Sequence, residues 1–221
     1  MNAAAPTIIV GHGPGVGDAA ARAFALRGGP VALLARDRSR VDAAAAAIAA
    51  DLGIKCIGLE ADASDDRSLI GALDIATARL GTPGVVLYNA ARWRAGPVLS
   101  IDAEAVIEDY RICVASAWSA ARWAAPAMAV AGGGAILLTG GGLAMHPSVD
   151  APTLSIGKAA LRALALMLAD ELAPAGIRVG TVTIAGQVGT GALTPARIAD
   201  AFLELAGGPP DRPTARARRS S

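Results

Sequence analysis

The feature that most constrains this chain lies near its start. Gly11, His12, Gly13, Pro14, Gly15, Val16 and Gly17 stand between a short β-branched run, residues 7–11, and an alanine-rich periodic stretch, residues 18–27. A strand, a glycine turn and a helix in that order aim backbone N–H groups and the positive end of a helix dipole at one point. Such a point holds a pyrophosphate, and the order commits the chain to a layered α/β fold. The spacing is G-x-x-x-G-x-G on Gly11, Gly15 and Gly17. The strict G-x-G-x-x-G form fails because Val16 and Asp18 occupy the places of its third glycine.

The alternation continues along the chain. Gly28, Gly29 and Pro30 stop the first helix, and strands at 31–35, 54–60 and 84–89 alternate with helices at 39–52 and 66–80. A long helix at about 103–128, a strand at 135–139, a second long helix at 151–173 and a strand at 177–183 follow. After a turn at 186–191, Thr194 caps a last helix at 195–206 that has proline in its first position. The pattern predicts one doubly wound α/β domain over residues 1–206, with about six parallel strands and helices on both faces. Residues 207–221, with three prolines and Arg212, Arg216, Arg218 and Arg219, read as a disordered tail.

Composition narrows the function. Hydrophobic residues make up 53% of the 221 positions but aromatics only 3%, so small side chains must fill the core between closely packed layers. A formal net charge of +1 supplies no field to gather nucleic acid or an anionic membrane. Residues 123–149 carry no Asp, Glu, Lys or Arg, yet Pro126 and two glycine runs make them a buried α/β segment rather than a membrane span. Cys56 and Cys113 have neither disulfide nor zinc spacing, and no metal site is expected. The first residues lack a secretory pattern, so a reducing, cytoplasmic setting is the expectation.

Cofactor choice turns on the end of the second strand. An acidic side chain there accepts from a ribose 2′-hydroxyl, whereas a guanidinium pairs with a 2′-phosphate. Ala35 followed by Arg36 favours NADP(H) over NAD(H). An NAD(H) reading survives if Asp37 turns inward; otherwise Asp37 belongs to a solvated loop before a Ser39 cap.

The glycine spacing after the first strand resembles that of the short-chain dehydrogenase/reductase family, a Rossmann-type fold, with Val10 in place of the usual threonine. Later positions match in order across nearly the whole chain. Asp62 resembles the aspartate that contacts adenine, and Asn89, Ala90 and Ala91 resemble a worn Asn-Ala-Gly motif. Lys158 falls where the family's lysine holds the nicotinamide ribose. Ala185, Gly186, Val188 and Thr190 resemble the Pro-Gly segment over the nicotinamide, without its proline.

The resemblance implies a catalytic tyrosine, serine and asparagine, and these positions hold other residues. Counting back four from Lys158 gives Leu154, which cannot donate a proton. The serine register falls on Gly141 and the asparagine register on Cys113. His146, in the loop after the fifth strand, is the candidate replacement acid, since its unperturbed pKa near 6.5 suits proton transfer. The Thr139 hydroxyl is expected to be satisfied by backbone, and Cys113 to be a small core residue. Tyr110, three positions before Cys113, is expected to share its helical face and pack at a subunit contact.

Two readings of function are open. One is an atypical NADP(H)-dependent oxidoreductase acting on a carbonyl or alcohol, with His146 or water supplying the proton. The other is a catalytically silent cofactor-binding protein or partner subunit. The early start of the helix at 195 predicts an open cleft. Nothing in 207–221 looks like the family's last strand, and a homodimer through the helices at 103–128 and 151–173 is expected.

Overall fold

The computed structural model describes residues 5–191, 193–208 and 214–217. Strands β1 (Thr7–Val10), β2 (Val31–Ala35), β3 (Cys56–Glu60), β4 (Val85–Tyr88), β5 (Gly134–Gly141), β6 (Ile177–Ile184) and β7 (Thr214–Ala217) form one sheet. Its order is β3-β2-β1-β4-β5-β6-β7 and every pairing is parallel. The chain crosses from β3 back past β1 to β4, so a switch point opens between β1 and β4 at the carboxyl ends of the strands.

Side-chain alternation in β1 sorts the two layers. Ile8 and Val10 join a core with α3 (Asp66–Leu80), α5 (Ser116–Val130) and α6 (Pro152–Leu172). Ile9 joins the opposite core with α1 (Val16–Ala25), α2 (Arg38–Leu52) and α7 (Pro195–Gly207). Because both faces are covered, the central strands β1, β2 and β4 are almost wholly apolar, as the middle of a parallel sheet requires. The abundant alanines are the contact surface: Ala20, Ala21, Ala45, Ala72, Ala120 and Ala124 are all buried. Residues 152–175 form a helical stretch apolar and long enough to cross a membrane, and 56% of its most apolar window is buried in this fold.

Two expectations need correction. The helix expected over 103–128 is α4 (Ala103–Tyr110), a π-helical turn at Arg111–Ala115, and then α5. The Tyr88 hydroxyl donates to the Ile112 carbonyl of that turn at 2.5 Å, giving a partner to a group in the disturbed stretch. This turn also separates Tyr110, which is half exposed, from Cys113, which is buried, so the two do not share a face. The second correction concerns the expected tail. Thr214–Ala217 pair with β6 from Thr181 to Ile184 and add a seventh strand, because the open β6 edge satisfies their backbone groups. The tail expected at 209–213 and 218–221 lies outside the described residues.

Candidate cofactor-binding cleft

The glycine loop sits at the switch point and is fixed from below. Gly11 has φ +83, and a Cβ there would stand 2.5 Å from the Ala90 backbone nitrogen, so only glycine fits. Gly11 and His12 N–H groups both donate to the Leu34 carbonyl at 2.9 Å. The Asn89 side-chain amide donates to the Gly11 carbonyl at 2.9 Å and its oxygen accepts from the Thr139 hydroxyl at 2.8 Å. Asn89 thereby ties β1 to β5, and its neighbour Ala90 lies against the loop. The Thr139 hydroxyl is therefore satisfied by a side chain, not by backbone as expected, because Asn89 offers its oxygen across the sheet.

Above this floor the loop is open. A Cβ at Gly13 or Gly15 would meet nothing within 4 Å, and Pro14 is exposed. Gly15 is the N-cap of α1 and supplies no side-chain cap before Val16. An open cradle at an uncapped helix start fits the pyrophosphate of a dinucleotide, held by backbone N–H groups.

Beside the loop, a cleft of about 780 Å³ runs toward α2, lined among others by His12, Pro14, Asp18, Arg36 and Arg40. Arg36 and Arg40 are exposed, and among the described residues neither has an ion-pair partner. Asp37 also lines this cleft, and its carboxylate is engaged locally. It caps α2, accepting from the Arg40 N–H at 3.0 Å and the Ser39 hydroxyl at 2.8 Å. Those bonds, the backbone one first, hold its carboxyl below its ordinary pKa. The cap is thus Asp37 rather than Ser39, because an aspartate reaches the N–H three residues on.

Asp62 lies after β3 with one oxygen accepting from the Ser64 N–H at 2.8 Å and the Ser64 hydroxyl at 2.7 Å. The backbone bond from Ser64 is the main cause of its lowered pKa. These bonds favour the charged carboxylate.

On the other side of the switch point, Leu154 and Lys158 are buried on α6, and Gly141 is the last residue of β5. A Cβ at Gly141 would lie 3.5 Å from Lys158 Cγ, so the lysine stem runs beside the place where the family's serine would stand. Lys158 Nζ turns down to donate to the Thr139 carbonyl at 2.6 Å. Burial pushes its pKa below the ordinary lysine value, against a smaller opposing effect of Cys113. Cys113 is buried in the π turn, against Gly157, where a Cβ would come within 3.2 Å of its sulfur.

His146 is exposed beyond the short 3₁₀ turn Gly142–Ala144, its N–H donating to the Gly142 carbonyl at 2.9 Å. Residues 185–191 follow β6 and are exposed, Val188 and Thr190 included; the Thr190 hydroxyl donates to the Gln187 carbonyl at 2.7 Å. Gly186 packs against Leu193, whose Cδ1 would stand 2.8 Å from a Cβ there.

Sequence reasoning missed one cluster at this edge of the sheet. Asp109 of α4 is 1% exposed, and Arg94 reaches it with two bonds, at 2.7 and 3.1 Å. Arg92 contacts Glu108 at 2.5 Å, and Arg94 contacts the same carboxylate at 3.0 Å. Burial raises the Asp109 pKa, but the Arg94 bond and further favourable interactions outweigh it and the net shift is downward. The network clamps the segment after Ala91 onto α4. The one sequence signal was two arginines directly after the worn Asn-Ala-Gly motif.

A parallel sheet with a glycine cradle, an aspartate after β3, an asparagine after β4 and a buried lysine on α6 defines a dinucleotide-binding oxidoreductase class. The chain belongs to the short chain dehydrogenase family, matching it over residues 6–199. It is 31% identical to an oxidoreductase, asL5, of Sarocladium schorii over 80% of this chain and 69% of that protein. L-sorbose reductase from Gluconobacter frateurii, solved with NADPH and L-sorbose, superposes with TM-score 0.81 at 26% identity, covering 94% of this chain and 77% of that one. A short-chain dehydrogenase from Rhodopseudomonas palustris shares the fold with TM-score 0.87 at 22% identity over the whole of both chains.

Proposed function

We propose that the protein is an NADP(H)-dependent oxidoreductase that interconverts a carbonyl and an alcohol without the family's catalytic tyrosine. The observation that carries this reading is the pair of guanidinia, Arg36 and Arg40, on the cleft beside the glycine cradle, neither of them in an ion pair among the described residues. Two fixed positive charges suit a 2′-phosphate and give no advantage to a ribose hydroxyl. A bound nicotinamide supplies or accepts the hydride.

The chain's own residues bind and orient. Gly11, Gly13, Gly15 and the start of α1 hold the pyrophosphate, Asp62 the adenine side and Lys158 the nicotinamide ribose. Gly186, Val188 and Thr190 cover the ring from the β6 side. The proton comes from His146 or from water, since Leu154 has none to give. Losing a positioned acid costs about a hundred- to ten-thousandfold in rate, so turnover is slow. The exposed 185–191 segment leaves the cleft open to a large substrate. The same two substitutions, Leu154 and Gly141, favour a second reading in which the protein binds cofactor but is silent, serving as a sensor or partner subunit.

The working form in this reading is a cytoplasmic homodimer through α4–α5 and α6, whose exposed Ile107, Tyr110, Trp118, Ile156 and Met167 supply apolar contacts. Titration with NADPH and NADH, followed by cofactor oxidation against a panel of carbonyl compounds, separates the readings. NADPH binding with turnover supports the oxidoreductase, and binding without turnover supports the silent form. Binding of neither nucleotide overturns both.

A further inference from the structure

We propose that His12 is a proton-linked contact for the 2′-phosphate of NADP(H), taking up a proton as that phosphate enters the cleft. The inference rests on the NADP(H) reading and names a residue and a charge state within it. His12 follows Gly11 directly and lines the same cleft as Arg36 and Arg40. Only 8% of its side chain is exposed, so water screens it poorly.

The groups around the ring come from four elements. Asp18 of α1 meets its Nε2 at 3.4 Å, and Arg22 of α1 holds the other Asp18 oxygen at 3.0 Å while also bonding Asp51 of α2 at 2.8 Å. Arg40 faces it from α2, Arg36 and the capping Asp37 line the cleft from the end of β2, and Cys56 of β3 lies near the Asp18–Arg22 pair. In the free protein burial holds the imidazole below its ordinary pKa, and the single partly neutralised carboxylate does not reverse that. A phosphate dianion placed between two guanidinia adds negative charge beside the ring. It thereby favours the imidazolium, which gains a charge-assisted N–H donor.

The phosphate's own titration has the opposite sign. Its second pKa lies at about 6, and two guanidinia lower it, so near-neutral binding releases protons from the ester. The histidine is therefore isolated by difference, and the two readouts below do not depend on turnover.

The first readout is calorimetry of the full chain at pH 6.5 with 2′,5′-ADP, and with 5′-AMP as control, in buffers of different ionisation enthalpy. Wild type is expected to take up more protons than His12→Gln with 2′,5′-ADP, and equally few with 5′-AMP. His12→Gln should weaken 2′,5′-ADP about tenfold and leave 5′-AMP unchanged. The second readout uses the native protein, which has only two histidines, so His146 serves as the internal reference for an NMR titration. The His12 pKa should rise on adding 2′,5′-ADP and stay put with 5′-AMP. If 2′,5′-ADP binds no better than 5′-AMP, the NADP(H) reading itself falls. If it binds better while the His12 pKa does not move, or while proton uptake is unchanged in His12→Gln, the histidine inference alone is overturned.

Discussion

Lys158 donates to the carbonyl of Thr139 at 2.6 Å, and the hydroxyl of the same Thr139 donates to Asn89 at 2.8 Å. Asn89 in turn bonds the Gly11 carbonyl. A polar chain therefore runs from the buried lysine on α6 through β5 and β4 to the glycine loop, and it holds both halves of the cofactor cleft in register.

Lys158 is kept at a cost to stability. Its folded pKa lies below the ordinary 10.5, so between the two values the unfolded chain binds more protons, and stability climbs as pH rises through that window. Lys158→Met should remove the climb and raise stability at pH 7 by about 1 kcal/mol, because relief from burying a charge outweighs one lost hydrogen bond. NADPH binding should weaken about tenfold. Urea unfolding at pH 7 and 9.5, with a nucleotide titration, checks both.

Gly11→Ala should be among the most damaging single changes. The new Cβ would meet Ala90 at 2.5 Å in a left-handed conformation, forcing β4 away from β1. A loss of about 3 kcal/mol in unfolding free energy and of measurable nucleotide binding is expected. Gly13→Ala, placed in open space, should fold normally and impair only the nucleotide.

The Asp109 clamp predicts an acid limb. Its folded pKa is depressed below the ordinary 3.8, so its contribution is complete above that value and is lost as pH falls through the folded pKa. Asp109→Asn should cost about 1 kcal/mol at pH 7, because Arg94 loses its buried carboxylate partner and keeps only Glu108. The variant's stability should also vary less with pH below 4. Unfolding curves from pH 2 to 7 measure both effects.

Restoring the missing groups should create activity. Gly141 has extended backbone, φ −161, and a Cβ there makes only ordinary contact with Lys158, so serine fits. Leu154→Tyr with Gly141→Ser should raise kcat/KM for carbonyl reduction about a hundredfold. A double variant that binds NADPH yet reduces no faster than wild type would show that more than the acid and the orienting hydroxyl is missing.

The glycine turn between β1 and α1, the succession of strands and helices and their parallel pairing were legible because they depend on local spacing and on the βα alternation. The Arg94–Asp109 clamp was not, since its partners lie on different segments and nothing in a helical pattern marks an aspartate as buried. The cap of α2 was placed on Ser39 instead of Asp37 because both residue types cap helices and they stand two positions apart. β7 escaped because proline and arginine around it mask a four-residue strand that forms only against the β6 edge.

The π turn before α5 has a geometric result for any surface built on this helix pair. Ile107 and Trp118 are eleven residues apart, close to three whole turns of an uninterrupted α-helix, and would stand in one row. One surplus residue in the turn rotates everything after it by about 100°, so these two exposed side chains face different directions. A neighbour that touches both has to curl round the rod instead of lying flat along it.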